Sequence, residues 1–188
     1  MSTTAMQSQN ATTTWQIDPA HTEVGFEVKH MMFAKVRGRF DAVEGTVVLV
    51  PESDFGSSSV HVVMDAASIH TGQAQRDEHL RSPDFLDAER FPNLRFKSLA
   101  VRRNADGSIA LTGELTIRDV TKSVDLVVAE SGRAIDPWGQ ERVGFSASAT
   151  IDRREFGLTW NQALETGGIL VGNDVRITIE AQAVLQDA

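Results

Sequence analysis

The 188-residue sequence contains no cysteine, so neither a disulfide framework nor a thiolate metal site can be built, and the redox compartment stays open. It also lacks an excess of positive charge. Eighteen Lys and Arg against 26 Asp and Glu give a net charge of −8, which argues against a general binder of phosphate backbones and makes nucleic acid a poor partner. No apolar run approaches the roughly 20 residues that cross a bilayer as a helix, so no integral membrane segment is expected. The opening MSTTAMQSQNATTT has neither a basic start nor an apolar run before Trp15 and does not read as a secretory signal. Residues 1–13 are expected to form a disordered tail, and the protein is expected to be cytoplasmic. No Gly-Ser linker, composition break or internal repeat divides the rest of the chain, so 14–188 is read as a single domain with an apolar fraction of 41% and a sizeable core. Missing too are the HExxH, G-x-S-x-G, Walker and dinucleotide-binding motifs.

What is present is alternation. Val24, Phe26 and Val28 alternate with Glu23, Gly25, Glu27 and Lys29, the pattern of a half-buried strand. The rhythm continues through Val36, Gly38 and Phe40, then Val43, Gly45, Val47 and Leu49, and again at Val60, Val62 and Met64. It resumes over Leu94–Val101, Ile109–Ile117, Val124–Val128, Val143–Ile151 and Val175–Ala181, with turn signals at Asn104-Ala105-Asp106-Gly107 and Asp136-Pro137-Trp138-Gly139. One stretch, Ser68–Ser98, breaks the period. Ala74–Leu80 has room for one or two helical turns, and Ser82-Pro83-Asp84 reads as the start of a helix that Phe91-Pro92 stops. The expectation is therefore a mainly β protein: about eight antiparallel strands joined by short turns, closed as an up-and-down lipocalin-like barrel, with a short helical insert around 74–91. Closure is preferred over a sandwich because each strand can pair with its predecessor and no long edge is left open. Gly38, Gly45, Gly113, Ala147 and Ala149 either leave space inside such a barrel or mark bends and bulges in its strands.

Several ordered blocks carry a family resemblance. Trp15-Gln16-Ile17-Asp18-Pro19-Ala20-His21-Thr22 and Val28-Lys29-His30-Met31-Met32-Phe33 through Gly38-Arg39-Phe40 resemble the opening of the YceI-like family of polyisoprenoid-binding proteins. Arg76-Asp77-Glu78-His79-Leu80-Arg81-Ser82, with Asp84-Phe85 and Phe91-Pro92, is similar to that family's most recognisable block. Gly113–Arg118, Val120-Thr121-Lys122, Arg153–Leu158 and Trp160-Asn161 match its later motifs, with Asp119 departing where the family's turn has Gly. The resemblance implies a lipocalin-like barrel that binds a long isoprenoid or comparable lipid chain without catalysis, often as a homodimer, with no cofactor beyond the lipid itself.

A polyprenyl tail is nearly all apolar surface. Burying even about 400 Å² of it at roughly 25 cal/mol per Å² contributes about 10 kcal/mol before the costs of association. Candidate wall residues for the tail are Phe26, Val28, Met31, Phe33, Val36, Phe40, Met64, Phe96, Leu115, Phe145, Leu158 and Trp160. Taken singly, each is read as core packing more readily than as ligand contact. A phosphate or quinone head group needs polar partners at a barrel mouth, and the candidates are His30, Arg37, Arg76, Asp77, His79, Arg118 and Lys122. For Arg76, Asp77 and His79 the competing role is a hydrogen-bonded network that fastens the helix to the barrel. Two other functions fit part of the pattern. One is a scavenger of diverse amphiphiles such as fatty amides. The other, with less support, is a metal-dependent hydrolase using His70, Asp77, Glu78 and His79, whose spacing does not compel a metal site.

Overall fold

The computed structural model describes residues 12–50 and 55–186. Its elements are β1 (Thr13–Ile17), β2 (Glu23–His30), β3 (Ala34–Phe40), β4 (Val43–Leu49), β5 (Ser59–Asp65), β6 (Ile69–His70), α1 (Ala74–Arg81), β7 (Asn93–Arg103), β8 (Ile109–Ile117), β9 (Val120–Ile135), β10 (Glu141–Asp152) and β11 (Val171–Leu185). The alternation of small apolar and polar residues gives antiparallel ladders throughout, from Val24↔Phe40 to Ile117↔Val120. The barrel closes with eight staves. β1 and β2 form one stave, kinked at the short helical turn Pro19–His21, and β3 and β4 form the next, kinked at Asp41-Ala42. β5, β7, β8, β9, β10 and β11 come next in chain order, and β11 returns to pair with both β1 and β2.

Two details depart from the sequence reading. Thr13–Ile17, not read as a strand, completes the seam between β4 and β11; it begins inside the expected tail, of which residues 1–11 lie outside the described residues. The glycines at 38, 45 and 113 sit in paired register, and an irregularity falls in β7 opposite Gly113. Their missing side chains are occupied by neighbours: a Cβ on Gly38 would collide with the tip of the Phe26 ring, and one on Gly113 with that of Phe96. At these two positions the sequence gives up a side chain so that an aromatic ring can lie flat across the wall.

The insert is also rearranged relative to expectation. The helix is Ala74–Arg81 and ends at Ser82; no helix starts there. Ser82 precedes Pro83, whose ring disfavours the helical region for the residue before it, and Ser82 is extended (φ −70°, ψ 168°). Its N–H and hydroxyl both donate to the His79 carbonyl, at 3.1 and 2.7 Å, so it caps the helix from the C-terminal side. The chain then folds back through turns, with the Leu86 and Ala88 N–H groups donating to the carbonyls of Leu80 and Arg81 at 3.0 and 2.9 Å.

At the opposite end an ionic clamp fixes the kink between β1 and β2. Asp18 accepts the Ala20 N–H at 3.0 Å, the Arg142 guanidinium at 2.6 Å and the His21 ring at 2.8 Å, while Arg142 also donates to Asp136 at 2.8 Å. The Arg142 hydrogen bond, with that of His21, holds the Asp18 carboxyl down at about 2. A depressed folded-state value stabilises the fold above the ordinary carboxylate range, and this contribution disappears as pH falls through the folded value. We therefore expect Arg142→Met to be less stable than the unmodified protein at neutral pH. In urea titrations across an acid pH series, the gap should close between pH about 4 and about 2. A gap independent of pH would mean that Arg142 acts through packing alone.

Candidate ligand-binding cavity

The interior is not solidly packed. A cavity of about 290 Å³ runs along the barrel and is lined from all eight staves, many times the roughly 10–15 Å³ that admits one water. It extends from Leu49, Val101 and Val128 at the end near the Asp18 clamp to Val28, Ile151 and Val171 at the other. Leu80, Phe85 and Leu86 from the insert, with Leu158, line that second end. The lining is almost wholly apolar; its polar side chains are Thr22, Ser58 and Arg153. Thr22 is engaged with the backbone of Gln182, and the Ser58 hydroxyl accepts the Val50 N–H at 2.8 Å. The two halves of the wall differ. Inward residues of β7, β8 and β9, such as Phe96, Leu115 and Val124, are buried, whereas Ala147, Ala149, Val175, Ile177, Val24 and Phe26 on β10, β11 and β2 are half-buried. Because these last point inward, their remaining accessible surface faces the cavity, and the free space lies against that wall.

Of the twelve candidate tail contacts, Phe26, Val28, Phe40, Met64, Phe96, Leu115, Phe145 and Leu158 line the cavity. The other four do not. Met31 and Phe33 stand at the tip of the β2–β3 hairpin, 41% and 81% exposed. Val36 is half-buried on β3 outside the lining, and Trp160 packs on the rings of His79 and Phe85, with centroids 4.6 and 5.4 Å away. Alternation alone identifies an inward face but not where the staves run past the barrel's end.

None of the seven head-group candidates lines the cavity, yet six of them gather at the insert end. Asp77 is buried and accepts the Thr71 N–H and hydroxyl at 2.8 and 2.5 Å, while Arg76 donates to the Thr71 hydroxyl and carbonyl at 2.7 and 3.0 Å. This is the fastening network, since it ties α1 to the loop leaving β6. The His79 ring bonds Asp84 at 2.8 Å. His30 closes β2 opposite Ala34 and Val171, and Lys122 is exposed across the ladder from Leu115. Arg118 turns the β8–β9 hairpin with φ +59°, taking the left-handed role that Asp119 does not. Its Nη1 approaches the Phe85 carbonyl at 3.4 Å, and its Nε is buried without a hydrogen-bond partner among the described residues. Arg37 is away from this group, on the outer face of β3, paired with Glu27 at 2.9 Å. Of the residues considered for a metal, His70 and Asp77 meet at 3.5 Å while His79 bonds Asp84 instead, and among the described residues no three His, Asp or Glu side chains converge.

The residue that sequence reasoning left out of the site is Arg153. It is 3% exposed and lines the cavity, and its guanidinium has no hydrogen-bonded carboxylate among the described residues. Its guanidinium instead donates to four carbonyls: Gly172 at 2.8 Å, Leu158 at 2.5 Å, Trp160 at 2.9 Å and Val171 at 3.3 Å. Burial pushes its pKa down from the usual arginine value. The side chain thus gathers both limbs of the 158–172 segment over the end of the cavity. Its only sequence signal was membership of the Arg-Arg-Glu-Phe-Gly-Leu block, which does not say which arginine turns inward.

Fold and cavity together define a closed antiparallel barrel with an apolar cavity in its interior. Residues 15–183 match the YceI-like domain, and the chain belongs to that family. A UPF0312 protein of Staphylococcus aureus is 34% identical over 175 residues, which cover 90% of this chain and 96% of that protein. A crystal structure of a Campylobacter jejuni YCEI protein is 30% identical and superposes with a TM-score of 0.70 over 90% of this chain and 96% of that one. A polyisoprenoid binding domain from Saccharophagus degradans has the same fold, with a TM-score of 0.68 at 11% identity over 92% of this chain and 98% of that one.

Proposed function

We propose that this protein binds and carries a long-chain isoprenoid lipid of the polyprenyl phosphate or quinone type, and that it does so without catalysis. The observation that carries the reading is the continuous apolar cavity inside the barrel of a YceI-like chain. Its lining includes no histidine or carboxylate among the described residues, and the donors of its one cation are turned to backbone carbonyls. Such a wall offers area to a flexible hydrocarbon, and its two hydroxyls, on Thr22 and Ser58, are engaged with backbone N–H groups. The name of the Saccharophagus degradans domain, a polyisoprenoid binding domain, points to the same class of guest.

In this reading the tail lies against β10, β11 and β2, in contact with Ala147, Ala149 and Ile177, and the head group sits at the insert end, where the buried Arg118 Nε–H has no partner among the described residues. The test is to purify the protein without detergent, extract it with organic solvent and identify what is released by mass spectrometry. A polyprenyl or quinone species near one per protein supports the reading. An empty extract, again empty after incubation with a polyprenyl phosphate and a long-chain quinone, counts against it.

A further inference from the structure

The tip of the β2–β3 hairpin is built in a way that the barrel does not require. Its three linking residues are Met31, Met32 and Phe33, which are 41%, 60% and 81% exposed. Met31 and Met32 both take left-handed backbone, at φ +52° and +70°, positions where Gly or Asn would be favoured and where side chains of this kind cost stability. Turn propensity has been given up to hold large apolar side chains in water. The strands behind them are cationic. Lys29 and Lys35 face each other directly across the outer ladder, with Arg37 and Arg39 further along; Glu27 pairs with both Lys35 and Arg37, at 2.7 and 2.9 Å, and Arg39 with Asp41 at 2.7 Å, which leaves four cations against two carboxylates within residues 27–41. This occurs in a chain whose net charge is −8. The Met31 N–H donates to the Leu170 carbonyl at 2.8 Å, so the tip is joined to the segment that Arg153 gathers over the cavity end.

From this juxtaposition we infer that the β2–β3 hairpin is a membrane-docking element: Met32 and Phe33 enter the interfacial layer of an anionic bilayer while Lys29, Lys35 and Arg37 meet its headgroups. Exposed apolar side chains collared by cations are the combination that an anionic interface rewards, since apolar burial and headgroup attraction add. A second copy of this chain fits the patch less well, because a two-fold contact would bring the two lysine pairs together. The inference rests on the lipid-carrier reading for its purpose, placing the cavity's insert end at the membrane that holds the cargo, but docking itself needs no cargo.

The experiment is co-sedimentation of the full chain with vesicles of phosphatidylcholine alone or mixed equally with phosphatidylglycerol. We expect binding to the anionic vesicles, little to the neutral ones, and weakening as salt is raised. The double variant Met32→Ser/Phe33→Ser should bind at least about tenfold more weakly. Trp138→Ser removes an equally exposed ring, 83% accessible, from the far end of the barrel and should bind as the unmodified protein does. Uptake of a polyprenyl phosphate dispersed without vesicles should be unchanged in the double variant, so a failure of docking is separable from a failure of carriage. The inference is overturned if the unmodified protein ignores anionic vesicles, if the double variant binds them as well, or if that variant instead converts a dimer to a monomer.

Discussion

Ala147→Trp should lose lipid binding, by a hundredfold or more in affinity, while still unfolding in one cooperative transition. Ala147 stands at the centre of the accessible wall, paired with Ile179 on β11 and Val128 on β9, with its methyl group facing the cavity. An indole placed there takes up a large share of about 290 Å³ and competes directly with the chain. Displacing about 200 Å² of tail contact forfeits roughly 5 kcal/mol at 25 cal/mol per Å², and each 1.4 kcal/mol is a factor of ten in the dissociation constant. The fold should tolerate the change because the new ring fills space instead of forcing neighbours apart, and filling an apolar void is stabilising. The variant should therefore melt at or above the lipid-free unmodified protein. Titration with a polyprenyl phosphate, alongside thermal unfolding of both proteins stripped of lipid, measures the two effects separately. Val127→Trp, one residue away on β9 and 61% exposed on the outer surface, should change neither. If Ala147→Trp binds normally, the tail is not against this wall.

Arg153→Met should be the most destabilising single substitution near the site. The four carbonyls that Arg153 serves would lose their donor within a mostly buried setting. Leaving such groups unsatisfied, after removal of a charged partner, costs about 3–5 kcal/mol. At 2–4 °C per kcal/mol for a chain of this size, the melting temperature should fall by roughly 6–20 °C. Arg153→Lys should recover only a small part, since one ammonium cannot reach along the three directions that the Nε and the two Nη atoms occupy. Hydrogen exchange at the amides of residues 158–172 should accelerate in both variants, with the far-end ladder between β8 and β9 slowest to respond. A loss below about 1 kcal/mol would mean that water replaces the guanidinium at these carbonyls.

The fold was legible where it depends on period. Alternation at Val24–Val28, Ile109–Ile117 and Val175–Ala181 marked strands whose inward residues now line one cavity, because the two-residue repeat of a strand is intrinsic to its geometry. Legibility failed where tertiary contacts decide. Ser82-Pro83-Asp84 carries a good helix-start composition, yet the same Ser before the same Pro also ends a helix, and the His79 carbonyl supplies the bond that selects the second role. Gly38 and Gly113 could be read as interior space or as bends because the rings that cover them, Phe26 and Phe96, come from neighbouring strands. Met31 and Phe33 continued an apolar pattern past the point where the barrel ends. Arg153 was invisible as a cavity residue because burying an arginine without a carboxylate is costly, and only four converging carbonyls, two from the segment just after it and two from the start of β11, make it tolerable.

The central claim, that an isoprenoid chain lies inside the barrel, is tested most directly by photo-crosslinking. A polyprenyl phosphate analogue with a diazirine on its tail would be incubated with the purified protein, irradiated, and its attachment sites mapped by peptide mass spectrometry. The expected labels fall on inward residues of β10, β11 and β2, among them Ala147, Ala149, Ile177 and Phe26, and vanish in Ala147→Trp. Labels confined to the outer surface, at Leu99, Val127 or Trp138, would contradict the account and place the lipid outside the fold.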